Sequence, residues 1–158
     1  MTRTTVQKYL PWGLAVFIAF VFVQSLFFKF INSFETQHIF GSIGDWMAGI
    51  SFLEFAAAGF AAFGGYAIGT VELIASVLLL IRKTQIFGAA LACCVISGAI
   101  FFHLFTPLGV SVVINEAGER DGGQLFAMAV VVWLFSLAIV WLRREDLRGL
   151  NGVNVAAA

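Results

Sequence analysis

The run Gly65-Tyr66-Ala67-Ile68-Gly69-Thr70-Val71-Glu72-Leu73-Ile74-Ala75-Ser76-Val77-Leu78-Leu79-Leu80-Ile81, closed by Arg82-Lys83, is apolar over the length of a membrane span and carries one carboxylate. A charge inside hydrocarbon costs roughly 3 kcal/mol on insertion scales, so Glu72 should face protein rather than lipid. On a helix Gly65, Gly69, Glu72 and Ser76 fall on one face, small and polar, while Ile, Leu and Val cover the rest. The fold follows from this reading: a bundle of membrane helices with a polar seam. Glu72 needs partners, and the rest of the chain must supply them.

Composition agrees. The 158 residues are 61% hydrophobic and 11% charged, against about 25% charged in a soluble domain. Nine basic residues balance nine acidic ones, so no basic surface suits nucleic acid. Cys93 and Cys94 are neighbours in sequence; helical neighbours diverge by about 100°, which leaves no disulfide framework and no C-x-x-C redox pair. Two histidines without tight spacing make a weak metal site, and no metal is expected. No phosphate loop, dinucleotide fingerprint, nucleophile elbow or haem-attachment motif is present.

Four spans are expected, at about 10–30, 65–82, 85–106 and 123–142, within a single membrane domain covering residues 1–145. The first is too long for a signal-peptide core and ends in Phe-Phe-Lys-Phe, so it reads as a retained helix, with Pro11 in its first turn. Residues 32–47 predict a short amphipathic helix in the membrane interface. Residues 49–63, apolar apart from Glu54, are too short for a comfortable span, for which Gly64-Gly65 would have to reverse the chain within the membrane, and read as re-entrant or interfacial. Pro107 stops the third span, residues 108–122 read as a solvated loop, and 146–158 as a disordered tail. With the N-terminus inside, Arg3, Lys8, Arg82, Lys83, Arg143, Arg144 and Arg148 lie inside, and Lys29 and Arg120 outside. Making residues 49–63 a fifth crossing would invert that bias. Both termini are therefore expected in the cytoplasm.

Topology gathers the polar groups. Lys29 ends the first span, Glu72 lies about 10 Å below the outer boundary of a span starting at Gly65, His103 ends the third, and Gln124 follows Asp121 into the fourth. Gln24, Glu35 and His38 fall on the same side. Lys29 is the natural counter-ion for Glu72, and His103 can titrate near neutrality as a proton relay. Phe27, Phe28, Phe101, Phe102 and Phe105 offer flat walls for a ligand. Plainer readings stand beside these: Lys29 snorkelling, His103 hydrogen-bonded near its helix end, Glu72 tying helix to helix.

The ending Ser25-Leu26-Phe27-Phe28-Lys29-Phe30, a loop with a short helix, and Gly69-Thr70-Val71-Glu72-Leu73 followed by the leucine run together resemble the DoxX-like family. The match covers about residues 10–142, with Lys29 and Glu72 the positions that carry over. The resemblance implies a compact four-helix protein of the bacterial inner membrane. Some relatives are small subunits of thiosulfate:quinone oxidoreductases, others associate with sulfurtransferase or superoxide dismutase partners, and many have no assigned activity. The expectation is thus a membrane subunit of a redox complex, with an outward-facing pocket for a quinone-like or other apolar molecule and a soluble or membrane redox partner. A scaffold or assembly factor, a small proton-coupled transporter and a homo-oligomer remain alternatives.

Overall fold

The computed structural model describes the backbone of residues 5–155 and the side chains of residues 9–144. Five helices make up the fold: α1 (Thr5–Phe30), α2 (Phe34–Ala48), α3 (Glu54–Leu79), α4 (Gln85–Phe105) and α5 (Gln124–Val155). The described parts of α1, α3, α4 and α5 are each long and apolar enough to cross a membrane. The chain is an all-α, multi-pass membrane bundle.

Asn32 takes the left-handed conformation (φ 49°) that asparagine tolerates, and it ends α1. The Ser33 hydroxyl then accepts from the Thr36 N–H and caps α2. The Thr36 hydroxyl donates back to the Phe28 carbonyl at 3.0 Å, so α2 starts tied to the end of α1. From there α2 lies along the first half of α3.

Three expectations need correction. Residues 54–63 are not a separate segment; they are the first turns of α3, which runs unbroken through Gly64-Gly65 to Leu79. The glycine pair is a seat, not a reversal. A methyl on Gly64 would lie 2.5 Å from the Phe40 ring, and one on Gly65 would lie 2.8 Å from Thr36. Glycine's helix penalty of about 1 kcal/mol is outweighed by an aromatic ring docked against the backbone. Pro11 also lies inside α1 rather than in its first turn, and removes the hydrogen bond to the residue 7 carbonyl. Finally, α5 continues as helical backbone to Val155 where a disordered tail was expected from 146. The side chains beyond Arg144, and residues 156–158, lie outside the described residues.

Two apolar clusters hold the elements. One joins α1, α3, α4 and α5 through Ala15, Ile18, Phe22, Ala75, Leu79, Ala92, Val132 and Ile139. The other joins α2, α3 and the α4–α5 loop through Ile43, Met47, Ala57, Leu108 and Val112. That loop is folded, not merely solvated. Val113 pairs with Arg120, and the Asp121 carboxylate accepts from the N–H groups of Val112, Gly123 and Leu125 at 2.8, 3.0 and 2.8 Å.

Candidate functional site

A cavity of about 700 Å³ lies between the helices at the Lys29 end of the bundle. Its walls are mostly apolar, with Phe17, Phe22, Phe28, Phe40, Phe60 and Phe102 among them. Its polar groups come from every helix: Gln24, Ser25 and Lys29 on α1, Glu35 and Thr36 on α2, Glu72 on α3, His103 on α4, Gln124 on α5, with Asp121 from the loop before it. Antiparallel neighbours bring these residues level, which is how bundle cores build polar sites.

Glu72 and Lys29 form the predicted pair. Lys29 Nζ lies 2.6 Å from Glu72 Oε2, with both side chains largely shielded. The Ser25 hydroxyl completes a triangle, accepting from Lys29 Nζ at 3.0 Å and sharing its one proton between Oε2 at 2.9 Å and the Phe22 carbonyl at 2.8 Å. Ser25 and Lys29 share a face of α1 one turn apart. Gly69 lets α1 approach, since a methyl there would meet the Phe30 ring at 3.0 Å. Both bonds fall on Oε2. Among the described residues Oε1 has no hydrogen-bond partner, and it is not sealed in protein; Glu72 lines the cavity. The spare acceptor therefore faces open space. The expected depth of Glu72 changes with the helix bounds: counted from Glu54 it is about 27 Å along α3, and about 10 Å before Leu79.

His103 is buried and its Nδ1 lies 2.7 Å from the Gly109 carbonyl. A carbonyl only accepts, so Nδ1 carries the proton, and in the neutral ring Nε2 is left as an acceptor. The ring edge packs on Phe126 at 5.7 Å. Glu35 sits at the same end. Burial raises its carboxyl above the ordinary value of 4.5, the Asp121 charge adds to the rise, and Lys29 works against it. Asp121 moves the other way. Burial alone would raise it, but N–H groups of Leu125, Gly123 and Val112 and the Ser111 hydroxyl together hold it below its ordinary range.

Gln24, Lys29, Glu35, Glu72, His103 and Gln124 thus all line one cavity, with Phe28 and Phe102 among its walls. His38 does not join them: its ring stacks on Phe34, 6.3 Å away along α2. Phe27 and Phe105 point outward, and Phe101 packs edge-on to Trp46. Runs of adjacent phenylalanines cover more than one helix face, so only some can line the space. Sequence reasoning placed Asp121 near this end without making it part of the site, and missed Thr36, Phe40 and the loop residues Leu108 and Ile114. Asp121, two residues before Gly123, carries a capping signature that could have marked it. Among the described residues no group of three His, Cys, Asp or Glu lies close enough to hold a metal.

Comparison with family models, with curated proteins and with solved structures finds no match for this chain.

Proposed function

We propose that this chain binds a quinone-like small molecule within the membrane and serves as the membrane subunit of a redox complex. The observation that carries the reading is the cavity itself: apolar walls, and at one end a partnerless carboxylate oxygen, an ammonium and an imidazole nitrogen. Ligand sites are mostly apolar with few convergent polar groups, and this volume is of the usual size. Phe28 and Phe102 would flank a quinone ring, its carbonyl oxygens accepting from Lys29 or protonated His103. A quinol hydroxyl would donate to Glu72 Oε1 or to neutral His103 Nε2. When bound, the quinone supplies two-electron acceptor chemistry. This chain carries no redox motif, so the electrons belong to a partner protein, while its own residues bind, orient and exchange protons. The reading includes a DoxX-like protein of the bacterial inner membrane with both termini cytoplasmic.

The test is to purify the protein from native membranes and to extract it with solvent for quinone analysis. A short-tailed quinone is then titrated into the ligand-free protein in detergent and into the Glu72→Gln variant. Copurified quinone, or saturable binding weakened by Glu72→Gln, is expected. Folded protein that yields no quinone and binds none would sink the reading.

A second reading has its own observation: Oε2 is fully satisfied inside the chain by Lys29 and Ser25. The pair then only fixes the register of α1 against α3, and the protein is a scaffold or assembly factor. Lys29→Met combined with Glu72→Leu would keep both fold and cellular phenotype in that case.

A further inference from the structure

The residues lining the cavity differ in exposure, and the difference follows helix identity. All those drawn from α2, α3, α4 and the α4–α5 loop are buried or half-buried. The exposed ones are Phe20, Gln24 and Phe28 on α1 and Gln124 and Met128 on α5. Each set repeats every fourth residue, so each is a single stripe along its helix. The two stripes form the rim of a gap between α1 and α5. The gap closes at its far end, where the Phe17 and Phe135 rings meet edge to face at 5.1 Å.

The α4–α5 loop covers the end of the cavity beyond Lys29. Leu108 and Val112 of the loop are buried among Ile43, Met47 and Ala57, and Leu108, Ile114 and Asp121 form that side of the wall. Three N–H groups fasten Asp121 and with it the loop. The roof is thus held by packing and hydrogen bonds, while the side is open between helices that each have the length and apolarity of a membrane span.

We infer that the cavity is reached sideways from the bilayer, through the α1–α5 gap, by a single-tailed amphiphile. Its polar head lies at Lys29, Glu72 and His103 and its hydrocarbon tail trails out between Phe20, Phe28 and Met128. Gln24 and Gln124 are the polar members of an otherwise apolar rim. This rests on the ligand-binding reading above and adds the route and the tail.

The route can be tested without the ligand. Ala99→Cys places a thiol on the α4 wall of the cavity, in a background of Cys93→Ala and Cys94→Ala. Proteoliposomes are treated with N-dodecylmaleimide dissolved in the lipid, or with a sulfonated maleimide present on both faces. The alkyl reagent should modify the thiol and the sulfonated one should not. Plugging the rim with Gln24→Trp and Met128→Trp should slow the alkyl reaction by about tenfold or more, a barrier change of about 1.4 kcal/mol. Met128→Phe alone is a smaller plug, read if the double variant loses its unfolding midpoint. Misfolding would speed both reagents, so it cannot imitate the slowing. Equal rates for the two reagents, or an alkyl rate indifferent to the folded plug, would overturn the route. Adding a short-tailed quinone separates the two ideas: alkyl labelling that is plug-sensitive but unprotected by quinone keeps the route and removes the quinone.

Discussion

Both ends of this bundle place a long cation against a polar side chain, and the cavity described above lies beside one of them. At the Lys29 end the ammonium meets Glu72 and Ser25, and the second carboxylate oxygen looks into the cavity. At the other end Arg143, 4% exposed, donates from Nε to Gln85 Oε1 at 2.8 Å, and Gln85, 0% exposed, donates on to the Leu79 carbonyl at 3.2 Å. That second network ties the starts of α4 and the end of α3 to α5, and no cavity residue belongs to it. Gly88 sharpens the packing there, since a methyl on it would fall 2.5 Å from the Leu79 backbone nitrogen. Buried polarity by itself marks a structural joint. Buried polarity with a spare acceptor and room in front of it marks a site.

The largest effect expected comes from breaking the pair on one side only. Lys29→Met leaves the Glu72 carboxylate buried without its cation, at a cost of about 3–5 kcal/mol. Unfolding in mild detergent, followed by circular dichroism, measures it. Lys29→Met with Glu72→Leu should recover most of that loss but abolish quinone binding. Gln85→Leu with Arg143→Met at the other end should change stability and leave quinone binding intact. If the second double variant also lost the ligand, the contrast between the two ends would fail.

A smaller effect tests the continuity of α3. Gly64→Val forces side-chain atoms into the Phe40 ring and should cost about 1–3 kcal/mol through overpacking. Gly64→Val paired with Phe40→Ala should relieve much of it. A glycine pair serving as a chain reversal would give no such rescue.

This helix also shows where sequence stopped being legible. The polar face Gly65, Gly69, Glu72 and Ser76 was readable because periodicity alone fixes it, and all four are buried. The start of the helix was not. Glu54 and Gly64-Gly65 look like a boundary unless one knows that a ring from α2 fills the glycine notch, and that is a tertiary fact. The meeting of Lys29 and Glu72 followed from counting crossings, since antiparallel helices set levels. His38 was misplaced because the rotation of α2 about its own axis is decided only when Phe40 and Ile43 dock. Arg143 was read only as one of the basic residues on the inner side because its count served topology, and nothing local announces Gln85 as its partner.

A still smaller effect concerns the roof. Asp121→Ala removes the acceptor for three N–H groups and should cost about 1–2 kcal/mol, as loss of a helix cap does. The sign with pH follows from the lowered carboxyl. Its contribution is full above the unfolded pKa near 3.9 and is lost as pH falls through the lower folded value. The Asp121→Ala difference should therefore shrink in acid. A difference constant down to the lowest pH would assign the roof's stability to Leu108 and Val112 instead.

Glu35 should show the opposite sign and the least effect. Its folded pKa is raised, by burial first and by Asp121 second, so the folded state holds the proton more tightly than the unfolded chain does. Stability then rises as pH falls through the folded value, and the penalty is full above it. Glu35→Gln should stabilise the protein at neutral pH and bring no gain in acid. The same substitution in the Asp121→Asn background should yield less, because the neighbouring charge is already gone. The Lys29–Glu72 joint should not register the change. An equal loss of quinone binding in Glu35→Gln and Glu72→Gln would show that the cavity treats both carboxylates alike, and would move the recognising group from the Oε1 of Glu72 towards the roof.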